Sequence, residues 1–277
     1  MDLKLNSIIT LNNKTKMPRL GFGVYKIPPG QPTYEAVTWA LKAGYRHIDT
    51  AKFYRNETSV GKAIRASGIA REKIWVTTKL WPTDFLNVEK AFETSLAKLK
   101  LDYVDLYLVH WPLPGTAKKV WRKMESLYLT GKVKAIGVSN YSAVTLQATL
   151  DFANIAPSVN QVRCSVFGYD KSVYELCQQN GVVFEAYSPL THGKQLNNNS
   201  ITEIADIYGK SNAQIMLRWA LQKNIVVIPK STHEDRIIAN ADIFDFEISP
   251  ADIRKLDKLS AKKVSRLTFR TRNKKTI

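Results

Sequence analysis

The chain has 277 residues, 44% of them apolar and 10% aromatic, which is enough for a large core and excludes disorder over most of its length. Its net charge is +17, but eight of those positive charges follow Asp257, beyond which no acidic residue remains. Residues 1–257 therefore carry only +9, and no specific nucleic-acid partner is expected from charge alone.

The basic tail, at about 258–277, reads as a solvated segment, with an anion-binding arm as the alternative. No apolar run approaches the ~18 residues needed to cross a bilayer. The N-terminus shows no basic stretch leading into an apolar one, so neither a membrane nor a secreted protein is expected. Two cysteines, Cys164 and Cys177, form no disulfide framework, which points to a reducing cytoplasm.

In chain order, residues 8–11 and 14–17 flank Asn12-Asn13 and predict a small hairpin, with the asparagines taking left-handed turn geometry. From Arg19 onward, short apolar runs alternate with segments of helical period. Strands are predicted at 20–24, 47–49, 74–79, 104–109, 135–139, 158–161, 182–187 and 225–228. Helices are predicted between and after them at 33–43, 57–67, 88–99, 120–130, 143–152, 173–179, 214–221 and 233–240, with extra helices at 201–208 and 250–259. Gly44, Gly68, Gly131 and Gly181 are placed to cap helices just before the next strand. Eight strand–helix units imply a parallel sheet, and their number favours a closed α/β fold, the (β/α)8 TIM barrel. A doubly wound sheet would carry GxGxxG in its first turn, and Gly21-Phe22-Gly23 lacks the third glycine. No internal linker is visible, so residues 1–277 are expected to form a single domain.

Reactive groups of such a barrel lie at the C-terminal strand ends. Those ends carry Asp49, Lys79, His110, Ser139 with Asn140, Gln161, Tyr187 with Ser188, and Lys230 with Ser231. Asp49, Lys79 and His110 follow one another at one-unit spacing, which brings them to neighbouring places on the rim. The loop after Asp49 offers Tyr54, whose proton a nearby Lys79 would loosen by favouring the phenolate. With a histidine to orient an oxygen, this set would protonate a carbonyl, while the hydride has to come from a cofactor. Four histidines without metal-ligand spacing argue against a zinc or iron site. Cys164 has no activating neighbour in sequence and reads as a packed thiol.

The stretches Gly21-Phe22-Gly23-Val24-Tyr25, Ala43 to Ala51 with Tyr54, Asn56-Glu57 and Val60-Gly61, Leu108-Val109-His110-Trp111-Pro112, Gly131 to Asn140 and Ile228-Pro229-Lys230-Ser231 resemble the aldo-keto reductase family. The resemblance runs from about residue 7 to 260 and implies a barrel whose bottom is closed by the N-terminal hairpin. It implies a catalytic tetrad of Asp49, Tyr54, Lys79 and His110, with Tyr54 as general acid, and NADPH as cofactor. The nicotinamide would be held by Asp49, Thr50, Ser139, Asn140 and Gln161 and stacked on Tyr187, with Ser188, Pro189 and Leu190 along the pyrophosphate. Lys230, Ser231 and Arg236 would clamp the 2′-phosphate, and Asn240 the adenine. Ala239 stands where many members carry an acidic or amide residue, and Arg163-Cys164-Ser165 where many carry Glu-Cys-His. The loops after His110 and after the last helix are short, as in bacterial members acting on small aldehydes, 2-oxoaldehydes or diketo sugar acids. An open pocket walled by Tyr25, Trp81, His110 and Trp111, with His192 near its edge, would then receive a small carbonyl substrate. A monomer is expected, and a redox-sensing regulatory module with little turnover is the rival reading.

Overall fold

The computed structural model describes residues 3–260. The hairpin pairs β1 (Ile8–Thr10) antiparallel with β2 (Lys16–Pro18). Its left-handed residue is Lys14, at φ 70°, and not Asn12 or Asn13. Both asparagines use their side chains instead. Asn12 Nδ2 donates to the Pro157 carbonyl (2.9 Å) and its Oδ1 accepts from Ser158 Oγ (2.7 Å), while Asn13 Nδ2 donates to the Lys134 carbonyl (2.9 Å). These bonds fasten the hairpin across the N-terminal ends of the barrel strands.

Eight parallel strands follow. They are β3 (Phe22–Gly23), β4 (His47–Asp49), β5 (Trp75–Leu80) and β6 (Val104–Val109), then β7 (Val133–Ser139), β8 (Val159–Arg163), β9 (Val183–Tyr187) and β10 (Val226–Ile228). Each pairs in parallel with its sequence neighbour. Closure occurs where Leu20 bridges Val227, with Gly21 N–H bonding the Val227 carbonyl at 2.8 Å and Gly23 N–H the Pro229 carbonyl at 2.9 Å. The fold is a (β/α)8 TIM barrel with its bottom closed by the hairpin. The first barrel strand is shorter than the predicted 20–24, because only Phe22 and Gly23 keep regular pairing with β4.

Helices α1 (Gln31–Lys42), α2 (Glu57–Ala66), α3 (Val88–Leu99), α4 (Ala117–Leu129), α5 (Ala143–Phe152) and α6 (Lys171–Gln179) each follow one strand. Two helices, α7 (Asn199–Tyr208) and α8 (Asn212–Gln222), follow β9, and α9 (Glu234–Ala241) follows β10. Residues 250–260 are helical as well. The four capping glycines have φ between 64° and 96°, the left-handed geometry that lets each chain turn directly from helix to strand. Among the described residues, no helix is long and apolar enough to cross a membrane. The expected basic tail lies, beyond residue 260, outside the described residues.

The apolar residues divide into two cores. The larger fills the shell between strands and helices; the smaller, built from Leu11, Met17, Trp75, Leu106, Leu108, Ala135, Val159, Val183 and Val226, plugs the barrel's lower interior. Strands buried on both faces explain why their sequences read as short apolar runs. The polar exceptions inside them therefore stand out, and they cluster above the plug.

Candidate active site

Parallel pairing sets the upper layers of the barrel. Thr77 lies beside Asp49, Lys79 beside Leu108, Ser139 beside Gln161, and Gln161 beside Glu185. Asp49, Lys79, Gln161 and Glu185 are all buried. Lys79 Nζ donates to both Asp49 carboxylate oxygens at 2.7 Å, to the Thr50 carbonyl at 2.9 Å and to the Tyr54 hydroxyl at 3.2 Å. An ammonium has three hydrogens, so the bidentate carboxylate shares them with the carbonyl and the phenol oxygen. Burial raises the Asp49 carboxyl, and Lys79 and Gln161 oppose that rise by stabilising the carboxylate.

Tyr54 is presented by a tight loop. A 3₁₀ turn at Lys52–Tyr54 ends at Arg55, which takes a left-handed φ of 61° and redirects the chain into α2. Asn56 anchors the loop by accepting from Thr50 Oγ1 (2.9 Å) and donating to the Val24 (3.0 Å) and Ile27 (3.2 Å) carbonyls. The expected loosening of the Tyr54 proton by Lys79 is overturned. Burial, followed by the Asp49 charge, pushes the phenol well above 10. Burial outweighs the neighbouring ammonium, which is shared with Asp49, so Tyr54 stays protonated.

His110 stands on the other side of the Tyr54 ring, edge-on at 5.6 Å between centroids. Burial, then Lys79, lowers its imidazole to about 3, so the ring is neutral, and its Nδ1 has no hydrogen-bond partner. Trp81 lies at 5.0 Å from the same ring, and Phe53 stacks on Trp81 at 4.1 Å and 15°. Phe53, missing from the predicted wall, is thus a full member of it. Tyr25 lies 4.9 Å from Tyr54, and Tyr25 and Trp111 are 40% and 51% exposed, the open sides of the mouth.

Beside this group, Ser139, Asn140, Gln161 and Tyr187 form a connected polar shelf. Ser139 Oγ donates to the Gln161 carbonyl (2.9 Å), and Asn140 Nδ2 donates to the His110 carbonyl and Ser139 Oγ (both 3.0 Å). The Tyr187 hydroxyl donates to Asn140 Oδ1 at 2.7 Å. Gln161 Nε2 donates to Asp49 Oδ2 and Glu185 Oε2, both at 2.8 Å, which leaves its Oε1 as an acceptor at the shelf. Beyond Tyr187, Ser188, Thr191 and His192 all have φ between 51° and 55°, and Pro189 is buried between them. Strained backbone of this kind costs on the order of 1 kcal/mol per residue and collects where ligands are clamped.

Burial lowers the His192 imidazole first, and Arg163, Lys26, Lys194 and Lys230 lower it further. Those four cations therefore gather around the loop after β9. Lys26 and Lys194 lie on loops and Arg163 ends β8, far apart in sequence, so their gathering here could not be read before folding. Lys230 and Arg236 are exposed and make no ion pair among the described residues, while Ser231 and Asn240 are buried. Arg236 and Asn240 lie one turn apart on one face of α9. Amide acceptors and hydroxyls at one end and unpaired cations at the other form a donor set that fits a nicotinamide dinucleotide. Cys164, fully buried, has its thiol pushed up by burial and takes no part.

The aldo/keto reductase family model matches residues 19–261. The chain belongs to the aldo/keto reductase family. It is 46% identical to a glyoxal reductase of Bacillus subtilis over 94% of this chain and 95% of that protein. It is 39% identical to methylglyoxal reductase DkgA of Yersinia pestis, again over 94% and 95%. A crystal structure of an aldo/keto reductase from Brucella melitensis superposes with a TM-score of 0.88 at 43% identity, over 92% of this chain and 99% of that one. Members of the family use nicotinamide cofactors, and this aldo/keto reductase is an oxidoreductase of that kind.

Proposed function

We propose that the chain is an NADPH-dependent reductase of small aldehydes and ketones, with Tyr54 as proton donor. The observation that carries this reading is the convergence of Lys79, Tyr54 and neutral His110 at the barrel mouth. Bound NADPH would supply the hydride. Every other requirement falls to side chains of the chain itself. Ser139, Asn140 and Gln161 would hold the carboxamide, Asp49 and Thr50 would border it, and Tyr187 would cover the ring. Ser188, Pro189 and Leu190 would follow the pyrophosphate, with Lys230, Ser231, Arg236 and Asn240 at the adenosine end. Two exposed cations, one a planar guanidinium, suit a 2′-phosphate and favour NADPH over NADH.

His110 and Tyr54 would orient the carbonyl oxygen between them. As the new C–H bond forms, the carbonyl π pair moves to oxygen, which takes the Tyr54 proton. The Lys79 ammonium, 3.2 Å from the Tyr54 oxygen, would stabilise the resulting phenolate until solvent restores its proton. Tyr25, Phe53, Trp81 and Trp111 would line an open mouth suited to compact substrates. The names of the two relatives favour 2-oxoaldehydes. We further read the whole chain as one domain acting as a cytoplasmic monomer, a setting that suits two free buried cysteines.

A panel of aldehydes and ketones assayed with NADPH and with NADH tests the activity and the cofactor preference together. Tyr54→Phe is expected to lose about 100-fold or more of kcat with NADPH binding retained. Normal turnover in that variant would remove Tyr54 from the mechanism.

A further inference from the structure

Beneath the shelf, one buried group has no role in the mechanism above. Glu185, on β9, is fully buried and points into the barrel one residue pair below Tyr187. Its Oε2 accepts from Gln161 Nε2 at 2.8 Å, the same nitrogen that donates to Asp49 Oδ2. Its Oε1 has no hydrogen-bond partner and lies 3.6 Å from His47 Nε2.

The groups facing Glu185 from the surrounding elements are few. β4 brings His47 and Asp49, β5 brings Lys79, β8 the uncharged Gln161 and the loop after β4 brings Tyr54, while Val226, beside it on β10, is apolar. His47 is held neutral, at about 3, by burial and by Lys79. Two carboxyls thus share one cation in a buried interior. Lys79 touches both Asp49 oxygens, so Asp49 keeps the charge and the shared proton resides on Glu185. A protonated Oε1 aimed at the neutral His47 ring also accounts for an oxygen that would otherwise be an unpaired buried charge.

We infer that Glu185 is a further positioning residue of this site. In its neutral form it helps hold Gln161, and on losing its proton it places a second negative charge below the nicotinamide position. Oxidised nicotinamide carries a positive charge on its ring and reduced nicotinamide does not. An ionised Glu185 therefore favours the oxidised cofactor, and the protein itself biases the direction of hydride transfer as pH rises. Burial, then the Asp49 charge, raises the Glu185 carboxyl to about 8, inside the range where such a bias operates. The inference rests on the nicotinamide reading proposed above.

Two measurements test it. In the cofactor-free protein, the infrared carbonyl band of a protonated carboxyl should vanish with a midpoint near pH 8 and be absent from Glu185→Gln. Separately, dissociation constants of NADP⁺ and NADPH are measured by tryptophan fluorescence between about pH 6.5 and 9.5. The 2′-phosphate is common to both probes and cancels in their ratio, and Tyr54 and Tyr187, both raised by burial, titrate above this window. The native ratio should move about tenfold toward NADP⁺ across the window, and that of Glu185→Gln should stay flat. A flat native ratio, an inflection that persists in the variant, or an infrared band unaffected by the substitution would overturn the role of Glu185. Failure to bind either dinucleotide with the band behaving as expected would instead overturn the nicotinamide reading.

Discussion

The His47 ring sits between two constraints on the barrel axis. A Cβ at Gly21 would stand 2.6 Å from its Nδ1, and Glu185 Oε1 lies 3.6 Å from its Nε2. With Lys79 nearby, a protonated ring has no room and no unshared anion. In the unfolded chain a histidine takes its proton at about 6.5, whereas His47 takes it only at about 3. Between those values the unfolded state binds more protons, so His47 contributes stability that is lost as pH falls. Glu185 has the opposite sign, because the fold holds its proton up to about 8. Comparing a variant with the native chain separates the two. Between pH 7 and 5, urea denaturation should shift the stability of His47→Gln relative to the native chain by about 2 kcal/mol in the variant's favour. Asp49, Lys79 and His110 were legible in the sequence from their one-unit spacing, and Tyr54 from the loop after Asp49. Glu185 was hidden by the apolar run around it. Its signal was parity, since it shares the inward face of β9 with Tyr187. Phe53 was hidden because an aromatic in a loop reveals its partner, Trp81, only when the loop is folded.

Elements matched expectation best where their ends are marked by apolar residues. The residues of β6 and α3 agree with prediction throughout, and all eight strands and both extra helices are present. Helix starts were placed too late where polar residues form the first turn. α4 begins at Ala117 ahead of Lys118 and Lys119, α6 follows an Asp170 cap, and α8 follows a capping box of Ser211 with Gln214. A periodicity reading cannot see such turns, whereas a capping reading can. Contacts between elements were the least legible. Gly61 lies on α2 where it meets the end of α3, and a Cβ there would fall 1.9 Å from the Leu99 carbonyl oxygen. Arg65 donates to that same carbonyl, so the oxygen cannot retreat without loss. Gly61→Ala should therefore lower stability by about 3 kcal/mol, read as a reduced melting temperature by calorimetry.

Over the whole molecule, reactivity and stability are housed at opposite ends of one barrel. The lower interior is apolar, with Met17 of the hairpin fully buried against Leu11, Trp75 and the strand residues above. Met17→Ala should lower stability by about 2–4 kcal/mol while kcat stays within about twofold, measured by urea denaturation beside the reductase assay. The same seal governs traffic. With the floor shut by the hairpin and its asparagine bonds, Lys79 is the end of a cul-de-sac with one doorway. If the nicotinamide end of a dinucleotide rests at that depth, as proposed above, a small carbonyl compound seated over it would close the way out, and the larger guest would be the first to arrive and the last to leave.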